Sequence, residues 1–438
     1  MSVFDINETH DPSLESFVAS ANEPGTDFPI QNLPFGVFRQ GDDERVGVAI
    51  GDQIVDVHRL RELGLLEGDA DDAARACAGP SLNPLMGLGQ RYASALRLAL
   101  SRLLRADSAE QDKVSSALVP MADVEMVLPA DVGDYTDFYC SIHHATNVGS
   151  MFRPDNPLMP NYKHLPVGYH GRASSLVPSG TPVRRPKGQS KAPDAAAPSF
   201  GPSKLFDYEL EVGFFVGAGN ALGEPIPVGE ADEHLFGFCL VNDWSARDIQ
   251  GWEYQPLGPF LAKSFATTLS PWVVTTEALA PFRVPAFERA EDDPQPLPHL
   301  ADDRNREAGG VDLHLEVYVA TERMRQDGDE PTRLTSGNFR EMYWTAGQML
   351  THHASAGCNM QPGDLMASGT VSGPEKDSRG CLLELTWRGA EPVSLPNGEE
   401  RKFLADGDEV IFRGYCEKEG AKRIGFGECR GVVLPAHD

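Results

Sequence analysis

Short runs typical of β-strands dominate the sequence from about residue 121 onward, and this pattern constrains the fold more than any other feature. The clearest run, residues 311–320 (VDLHLEVYVA), places an apolar side chain at every second position. Successive side chains of a strand point to opposite faces, so these apolar residues share one face. Further strands are predicted at 205–217, 381–387 and 409–417, and one helix from Thr345 to Ala356. We predict a β-rich larger domain with few helices.

The first 120 residues differ from the rest. Residues 35–58 alternate apolar with polar side chains around a Gly-Asp turn, which predicts small antiparallel strands. Residues 90–107 predict an amphipathic helix, because apolar side chains recur at helical spacing: Tyr92, Leu96, Leu100 and Leu103. At about 110–122 the pattern gives way to polar and small residues. We therefore predict an N-terminal domain at 1–120 and a C-terminal domain at 121–438.

Charge and cysteine content limit the partners and the compartment. The 438 residues carry a net charge of -27. Such a surface repels phosphate backbones and anionic lipids but not metal cations, so we expect neither nucleic-acid nor membrane partners. The seven cysteines are scattered, odd in number and without a C-x-x-C pair, which favours a reducing cytoplasm over a disulfide framework. No apolar run is long enough to span a bilayer, and the acidic N-terminus lacks the pattern of a signal peptide.

Carboxylates inside an apolar strand give the strongest local signal. Alternation along LFDYELEVGFFVG puts Asp207, Glu209 and Glu211 on one face of the strand. Neighbouring carboxylates repel one another and are costly beside apolar side chains unless a cation neutralises them. Hard divalent cations such as Ca²⁺ and Mg²⁺ take oxygen ligands and suit such a group. Asp137 and Asp243 lie in similar settings. A solvated strand face is the simpler alternative for these carboxylates.

The histidine pair His143-His144 is a second signal. Histidine is the usual side chain for accepting a proton near neutral pH. Glu384, flanked by Leu383 and Leu385 in a predicted strand, can point inward and orient one imidazole. Histidine pairs are more often structural, so the residues alone leave both interpretations open.

A third signal is a group of polar side chains within an apolar segment. Residues 242–265 contain Arg247, Gln250, Tyr254 and Lys263 among aromatic and apolar neighbours. Cations and an amide in such surroundings can stabilise an oxyanion or hold a substrate carboxylate. Further polar contacts at the rim are expected from Tyr139, Arg153 and Tyr169. For each residue taken singly, a surface salt bridge or a packed aromatic ring is the simpler alternative.

Several common catalytic motifs are absent from the sequence. Gly217 and Gly219 follow a predicted strand, but Pro225 and Pro227 prevent the helix that a dinucleotide fingerprint requires. The chain contains no G-x-S-x-G elbow, no H-E-x-x-H and no G-x-x-x-x-G-K-[ST]. The sequence therefore does not support a serine hydrolase, a zinc peptidase or a P-loop enzyme.

Several long blocks of the sequence match the pattern of a known family. They are DYTDFYCSIHHATNVGSMFR, LPVGYHGRASSLVPSGTPVRRP, LFDYELEVGFFVG, GFCLVNDWSARDIQGWEYQPLGPFLAKSFATTLSPWVV and ASGTVSGP, with DFPIQNLPFGVF near the N-terminus. These blocks resemble the fumarylacetoacetate hydrolase family, and the similarity runs nearly end to end. The resemblance implies a mainly β fold, with an N-terminal SH3-like barrel, a larger C-terminal catalytic β-roll, and a homodimer formed mainly through the latter.

The resemblance also implies roles for individual residues, by their position in the matching blocks. It implies calcium ligands at Asp137, Glu209, Glu211 and Asp243, and a magnesium site at Asp243, Lys263 and Thr267. It implies a water-activating base at His144 with Glu384 as its partner, and an oxyanion-stabilising group at Arg247, Gln250 and Lys263. It implies substrate contacts at Tyr139, Arg153, Tyr169, Gln250, Tyr254 and Thr370. One departure is His143, where the family pattern has glutamine, so the assignment of His144 rests on its alignment within HATNVG.

The implied reaction is hydrolysis of the 1,3-diketo acid 4-fumarylacetoacetate to fumarate and acetoacetate, the final step of tyrosine and phenylalanine degradation. The implied cofactor is Ca²⁺ and/or Mg²⁺. Two alternatives stay open. One is another activity of the same superfamily, namely acylpyruvate hydrolysis, decarboxylation or isomerisation. The other is a non-catalytic calcium-binding protein, whose carboxylates only brace the fold.

Overall fold

The alternating residues near the N-terminus form a meander of antiparallel strands in the computed structural model, which describes residues 3–438. The strands are β1 (Phe35–Gln40), β2 (Asp43–Ile50), β3 (Gln53–Asp56), β4 (Leu118–Pro120) and β5 (Glu125–Val127). They make a five-stranded sheet in the order β4-β3-β2-β1-β5. This sheet is the counterpart of the predicted barrel. It includes β5, which lies beyond residue 120, and the exact domain boundary stays a prediction.

The helices of the N-terminal part lie between β3 and β4. They are α1 (Val57–Glu62), α2 (Asp69–Ala76), α3 (Asn83–Leu88), α4 (Gln90–Leu104) and α5 (Gln111–Ser115). The predicted amphipathic helix is α4, and it buries Leu96, Leu100 and Leu104. Leu103, which was expected on the buried face, is only half-buried, because the helix packs along the i, i+4 row.

The larger C-terminal part is built mainly from short strands. Its first strands are β6 (Tyr135–Phe138), β7 (Gly168–His170), β8 (Leu176–Pro178), β9 (Val183–Arg184), β10 (Lys187–Ser190), β11 (Ser199–Pro202), β12 (Phe206–Asp207), β13 (Leu210–Val216), β14 (Leu235–Asp243), β15 (Ser245–Ala246), β16 (Thr267–Leu269) and β17 (Val274–Thr275). Those that follow are β18 (Arg283–Val284), β19 (Gly310–Val311), β20 (His314–Ala320), β21 (Thr332–Asn338), β22 (Leu365–Ala367), β23 (Val393–Ser394), β24 (Glu400–Arg401), β25 (Glu409–Cys416) and β26 (Ile424–Leu434).

The helices of this part are short. They are α6 (Ile142–Phe152), α7 (Arg247–Glu253), α8 (Asp303–Ala308), α9 (Glu322–Asp327), α10 (Ala346–Ala354) and α11 (Leu382–Leu385). The predicted helix before Gly357 is α10, which begins after the N-cap Thr345, and Gly357 has a φ of 87° that suits a glycine. In residues 3–438, none of the helices combines the length and the apolar character that crossing a lipid bilayer requires.

Two sheets carry the C-terminal part. One has eight strands, in the order β7-β6-β22-β13-β14-β16-β8 with β17 also paired to β14, and the other has the order β21-β20-β25-β26-β9. Apolar side chains from both sheets share one core, which includes Phe214 and Leu240 of the first sheet and Phe412 of the second. The mainly β architecture, with a smaller N-terminal and a larger C-terminal part, is confirmed.

The N-terminal sheet packs against the eight-stranded sheet. The amide of Phe35 donates to the Val273 carbonyl at 3.0 Å, and the amide of Val273 donates to the Phe35 carbonyl at 2.7 Å. The centroids of the Phe35 and Phe236 rings lie 5.8 Å apart. The approach is close: a Cβ at Gly36 would lie 2.7 Å from the Trp272 ring. The N-terminal part therefore supports the outer face of the sheet that carries the acidic residues.

The predicted strand at 381–387 is wrong, because α11 occupies this segment. The amide of Leu385 donates to the Cys381 carbonyl at 3.0 Å, and both Leu382 and Leu383 donate their amides to the Asp207 carboxylate, at 2.8 and 2.9 Å. A strand cannot aim two successive amides at one carboxylate, whereas a helix N-terminus can. All four residues of α11 are buried. The alternation of Leu383, Glu384 and Leu385 therefore does not mark one buried and one exposed face, and it does not indicate a strand.

The fully buried Arg97 of α4 holds the N-terminal segment in place, and the sequence pattern did not single it out. It donates to the Gln31 carbonyl at 2.6 Å, to the Asn32 carbonyl, and to the Thr9 hydroxyl at 3.2 Å. Burial lowers the pKa of Arg97 to about 10, so the guanidinium stays charged at neutral pH.

Replacing Arg97 should therefore be costly. R97M leaves two buried carbonyls without donors, and we expect the free energy of unfolding to fall by about 2–4 kcal/mol. Chemical denaturation of R97M and of the unsubstituted protein measures this loss of stability. R91M on the same helix removes an exposed ion pair with Asp69 and a contact with the Tyr92 ring at 5.8 Å, and should change stability much less. Equal losses of stability in R97M and R91M would contradict the role of Arg97 in holding the N-terminal segment.

Candidate active site

Four carboxylates from distant parts of the chain converge at one end of the eight-stranded sheet. They are Asp137, Glu209, Glu211 and Asp243, hereafter the acidic cage. Each offers an oxygen that lies within 4.8 Å of those of the others, and every residue of the cage is buried. The predicted convergence is therefore present in the structure.

Strand order explains the convergence. β13 runs antiparallel to β14, so that Leu210 lies opposite Asn242 and the start of one strand meets the end of the other. β6 runs parallel to β22, which pairs with β13 on its other side. Asp137 thereby reaches the same end of the sheet as Glu211 and Asp243. The sheet, and not sequence proximity, assembles the cage.

The run 205–217 is two strands and not one, since residues 208 and 209 separate β12 from β13. As a result Asp207 lies outside the acidic cage, although strict alternation placed it on the same face as Glu209 and Glu211. Its carboxylate instead accepts from Arg247 Nε at 2.9 Å and from the first amides of α11.

Two buried cations contact the cage. Lys263 Nζ pairs with Glu209 and lies 2.8 Å from Asp243 Oδ2. Arg247 Nη1 lies 2.5 Å from Glu209 Oε1 and 3.2 Å from Gln250 Oε1. Since α7 begins at Arg247, its first turn presents both Arg247 and Gln250 to the site.

These contacts divide the carboxylates into two kinds. Burial alone would raise the pKa of Glu209, but Lys263 and Arg247 outweigh it and hold that pKa below its ordinary value. Burial, and then repulsion by Asp243, raises the pKa of Asp137 well above its ordinary value. Burial and repulsion by Asp137 do the same to the pKa of Glu211. The negative charges of Asp137 and Glu211, half of the cage, are therefore not balanced by cations of the protein.

A hard divalent cation fits this uncompensated half. Asp137 Oδ1 and Glu211 Oε1 are buried oxygens without a hydrogen-bond partner among the described residues. Four carboxylates facing two cations leave negative charge that a divalent ion balances, and an all-oxygen donor set suits Ca²⁺ or Mg²⁺. Thr267 Oγ1 donates to Asp243 at 2.6 Å. Lys263 donates to the cage through Nζ, so its predicted place in a magnesium site stays a prediction.

The predicted pair of His144 and Glu384 is in contact. His144 Nδ1 lies 2.6 Å from Glu384 Oε2, and both side chains are buried. Burial would raise the pKa of Glu384, but His144 and other donors outweigh it and lower that pKa to about 2. An ionised carboxylate only accepts, so Nδ1 carries the proton and Nε2 is left as the basic nitrogen. This arrangement suits a general base.

Of the remaining predicted contacts, Tyr169 and Tyr139 touch the two groups directly. Tyr169 donates to Asp243 at 3.0 Å, and the Tyr139 ring meets His144 edge-on at 5.2 Å between centroids. Arg153 donates to the Pro157 carbonyl at 3.0 Å, on the loop after α6. Tyr254 is partly exposed at the end of α7. Thr370 is buried, and its hydroxyl has no hydrogen-bond partner among the described residues.

His143 points away from His144. Its Nε2 lies 3.8 Å from Glu341, and its ring packs edge-on against Phe287 at 6.2 Å between centroids. Sequence reasoning missed three further donors to Glu384, namely Asn147, Ser372 and Cys381. Only Asn147 could have been found, because it follows His144 by three residues and would share a face with it if this segment were recognised as a helix.

Together, the fold and the site define a hydrolytic enzyme with a buried acidic centre. Two family models match the chain: that described as "Fumarylacetoacetase N-terminal" covers residues 31–129, and that described as "Fumarylacetoacetate (FAA) hydrolase C-terminal" covers residues 134–434. The chain belongs to the fumarylacetoacetate hydrolase family.

Individual relatives agree with the family models. Fumarylacetoacetase from Bos taurus is 54% identical over 431 residues, which cover 96% of this chain and 99% of the bovine chain. The Homo sapiens fumarylacetoacetase is 53% identical over 430 residues, which cover 96% of this chain and 99% of the human one. A solved fumarylacetoacetate hydrolase from Exiguobacterium antarcticum has a TM-score of 0.51 and 18% identity, covering 92% of this chain and 100% of its own, and so supports the fold alone.

Cation binding should stabilise the protein through the acidic cage. At about 100 times the dissociation constant, Ca²⁺ or Mg²⁺ should add about 2.7 kcal/mol to the free energy of unfolding relative to chelated protein. E211Q should lose most of this gain, and should stabilise the chelated protein by removing a repelled carboxylate. The matched control is D408N, which breaks a partly buried pair with Arg401 and should destabilise the protein without changing the gain. An unchanged gain in E211Q would contradict the cage.

The stabilisation by the cation should also depend on pH. In the metal-free protein the pKa values of Asp137 and Glu211 are raised, so protons must leave these groups before they coordinate. The difference in unfolding free energy between cation-saturated and chelated protein should therefore grow from pH 5 to pH 8. Denaturation at matched pH values measures it, and groups whose pKa does not change on cation binding cancel in the difference. A constant difference would show that these two carboxylates do not bind the ion.

Proposed function

We propose that this enzyme hydrolyses a carbon–carbon bond of 4-fumarylacetoacetate to give fumarate and acetoacetate, the final step of tyrosine and phenylalanine degradation. The buried His144–Glu384 pair beside the acidic cage is the observation that carries the proposal. The substrate is supported by the near-full-length similarity to fumarylacetoacetases. A calcium-binding protein that only braces its fold has no need of a paired imidazole.

Hydrolysis of a carbon–carbon bond is difficult because the leaving group is a carbanion. When bound by Asp137, Glu209, Glu211 and Asp243, Ca²⁺ or Mg²⁺ would supply Lewis-acid stabilisation of the diketo oxygens. The protein itself supplies the base. Nε2 of His144 takes a proton from water, and the ionised Glu384 stabilises the resulting imidazolium through Nδ1. The hydroxide attacks the carbonyl, and the imidazolium can return its proton to the departing enolate carbon.

Three donors are proposed to hold the tetrahedral oxyanion: Arg247, Gln250 and Lys263. Arg247 has a free donor for this purpose, since Nη2 is buried without a hydrogen-bond partner among the described residues. Lys263 remains protonated, because Asp243 and Glu209 outweigh the effect of burial and raise its pKa. Preorganised donors in a buried site lower the barrier more than donors in water, and losing one typically costs about 10²–10³ in turnover.

Substrate binding is assigned to polar groups around this centre. Tyr139, Arg153, Tyr169, Gln250, Tyr254 and Thr370 are proposed as contacts. The free Thr370 hydroxyl supports such a role, because a buried unpaired hydroxyl is costly unless a ligand satisfies it. We also propose a cytoplasmic homodimer. The seven cysteines are all free thiols, and six of them are buried, which is consistent with a reducing compartment.

Other activities of the same superfamily are acylpyruvate hydrolysis, decarboxylation and isomerisation. The comparisons do not favour them, because the N-terminal family model matches as well as the C-terminal one. A substrate panel that contains fumarylacetoacetate and acylpyruvates, assayed with and without a chelator, separates these activities. Loss of fumarylacetoacetate only when divalent cation is present is the expected result.

The base assignment predicts a sharp difference between the adjacent histidines. H144A should lower kcat by about 10²–10⁴, since general-base catalysis typically contributes that much, and should keep the cation-dependent gain in stability. H143Q, the matched control, removes an imidazole that contacts Glu341 and Phe287 and should keep most activity. Steady-state kinetics on fumarylacetoacetate provide the measurement. Substantial turnover by H144A would exclude it as the base.

A further inference from the structure

The Glu384 carboxylate accepts hydrogen bonds from four side chains. Oε2 accepts from His144 Nδ1 at 2.6 Å, from Ser372 Oγ at 2.8 Å and from Cys381 Sγ at 3.2 Å. Oε1 accepts from Asn147 Nδ2 at 2.9 Å. Direct hydrogen bonds thus explain the close grouping of His144, Cys381 and Glu384, without an ion between them. The two oxygens are held from different sides, which fixes the plane of the carboxylate.

Asn147 and His144 both donate hydrogen bonds to the Glu384 carboxylate from the same helix. They are three residues apart on α6, and residues at this spacing lie on one helical face. Each contacts a different oxygen of Glu384, so one helix face binds the carboxylate at two points. A carboxylate bound only by the imidazole could rotate about its own side-chain torsions, because terminal torsions of Glu are broad.

Ser372 connects the same carboxylate to the start of α6. Its hydroxyl donates to Glu384 and accepts from the Gly380 amide at 2.9 Å. Its carbonyl accepts from Ser141 Oγ at 3.0 Å, and that hydroxyl caps α6 by accepting from the His144 amide at 3.2 Å. The hydrogen bonds form a closed ring through Ser141, His144, Glu384 and Ser372. Movement of the carboxylate is therefore linked to movement of the imidazole.

We propose that Asn147 and Ser372 are positioning residues that fix the Glu384 carboxylate and so select the His144 tautomer with a free Nε2. This inference rests on the proposed function, in which Nε2 accepts a proton from water. Neither residue touches the reacting atoms. Both act through Glu384, and their effect should fall on kcat and not on KM.

Two variants test the proposal independently. N147L removes the amide donor at similar volume, and S372A removes the hydroxyl. Each should lower kcat by about 10–100-fold, the usual effect of deleting a group that orients a functional side chain, with KM little changed. The matched control is S150A on the same helix, whose hydroxyl donates only to the Thr146 carbonyl at 2.7 Å. It should retain the activity of the unsubstituted enzyme.

A double-substitution cycle separates positioning from general damage to the fold. If Asn147 acts through Glu384, N147L should have little further effect on kcat when E384Q is already present, because coupled residues are not additive. Additive losses would overturn the proposal. So would a kcat for both N147L and S372A that matches that of S150A.

Histidine-selective ¹⁵N NMR gives a readout that needs no turnover. The unsubstituted enzyme should show His144 protonated at Nδ1, with a downfield proton from its bond to Glu384. This signal should weaken or shift in N147L and S372A and persist in S150A. An unchanged signal in both positioning variants would refute the inference even if the base assignment stands. High activity in H144A would instead refute the proposed function, whatever the NMR result.

Discussion

The mutual repulsion of four buried carboxylates is the constraint on which the rest of the site depends. Their oxygens lie within 4.8 Å of one another in an interior where water cannot screen them. Lys263 and Arg247 compensate Glu209 but leave Asp137 and Glu211 with raised pKa values. Because the protein supplies too few cations for four carboxylates, a bound cation would stabilise the fully ionised form of the cage. The sheet that carries the cage packs in turn against the N-terminal part.

Asp207 links the acidic cage to the His144–Glu384 pair. Its carboxylate accepts from Arg247 and from the first amides of α11, the helix that carries Glu384. One buried carboxylate thereby positions both an oxyanion donor and the partner of His144. The two groups are also coupled electrostatically, since His144, like Lys263 and Arg247, lowers the pKa of Glu209. Charge in the cage and protonation of the imidazole therefore influence each other.

Much of the site could be predicted from the sequence. The carboxylates stood out because Glu209 and Glu211 interrupt an apolar run, and both reach the acidic cage, although Glu209 lies just before β13 and not in a strand. The segment 381–387 was predicted wrongly, since burial on all sides removes the contrast between faces that distinguishes a strand from a helix. Arg97 was not identified because it contacts a backbone carbonyl 66 residues away, and Ser372 was not identified because its partner Glu384 lies in a segment that was predicted as a strand.

The sequence by itself determined the local periodicities, the apolar faces, the helix caps and the family to which the blocks belong. These depend on residues within a few positions of one another. Tertiary structure alone decided that Asp207 lies outside the acidic cage and that residues 382–385 form a helix. It also decided that Glu384 contacts His144 and Asn147, which are 240 and 237 residues away in the sequence. Such contacts depend on strand order and on the pairing of buried charges, which are properties of the whole fold and not of any local segment.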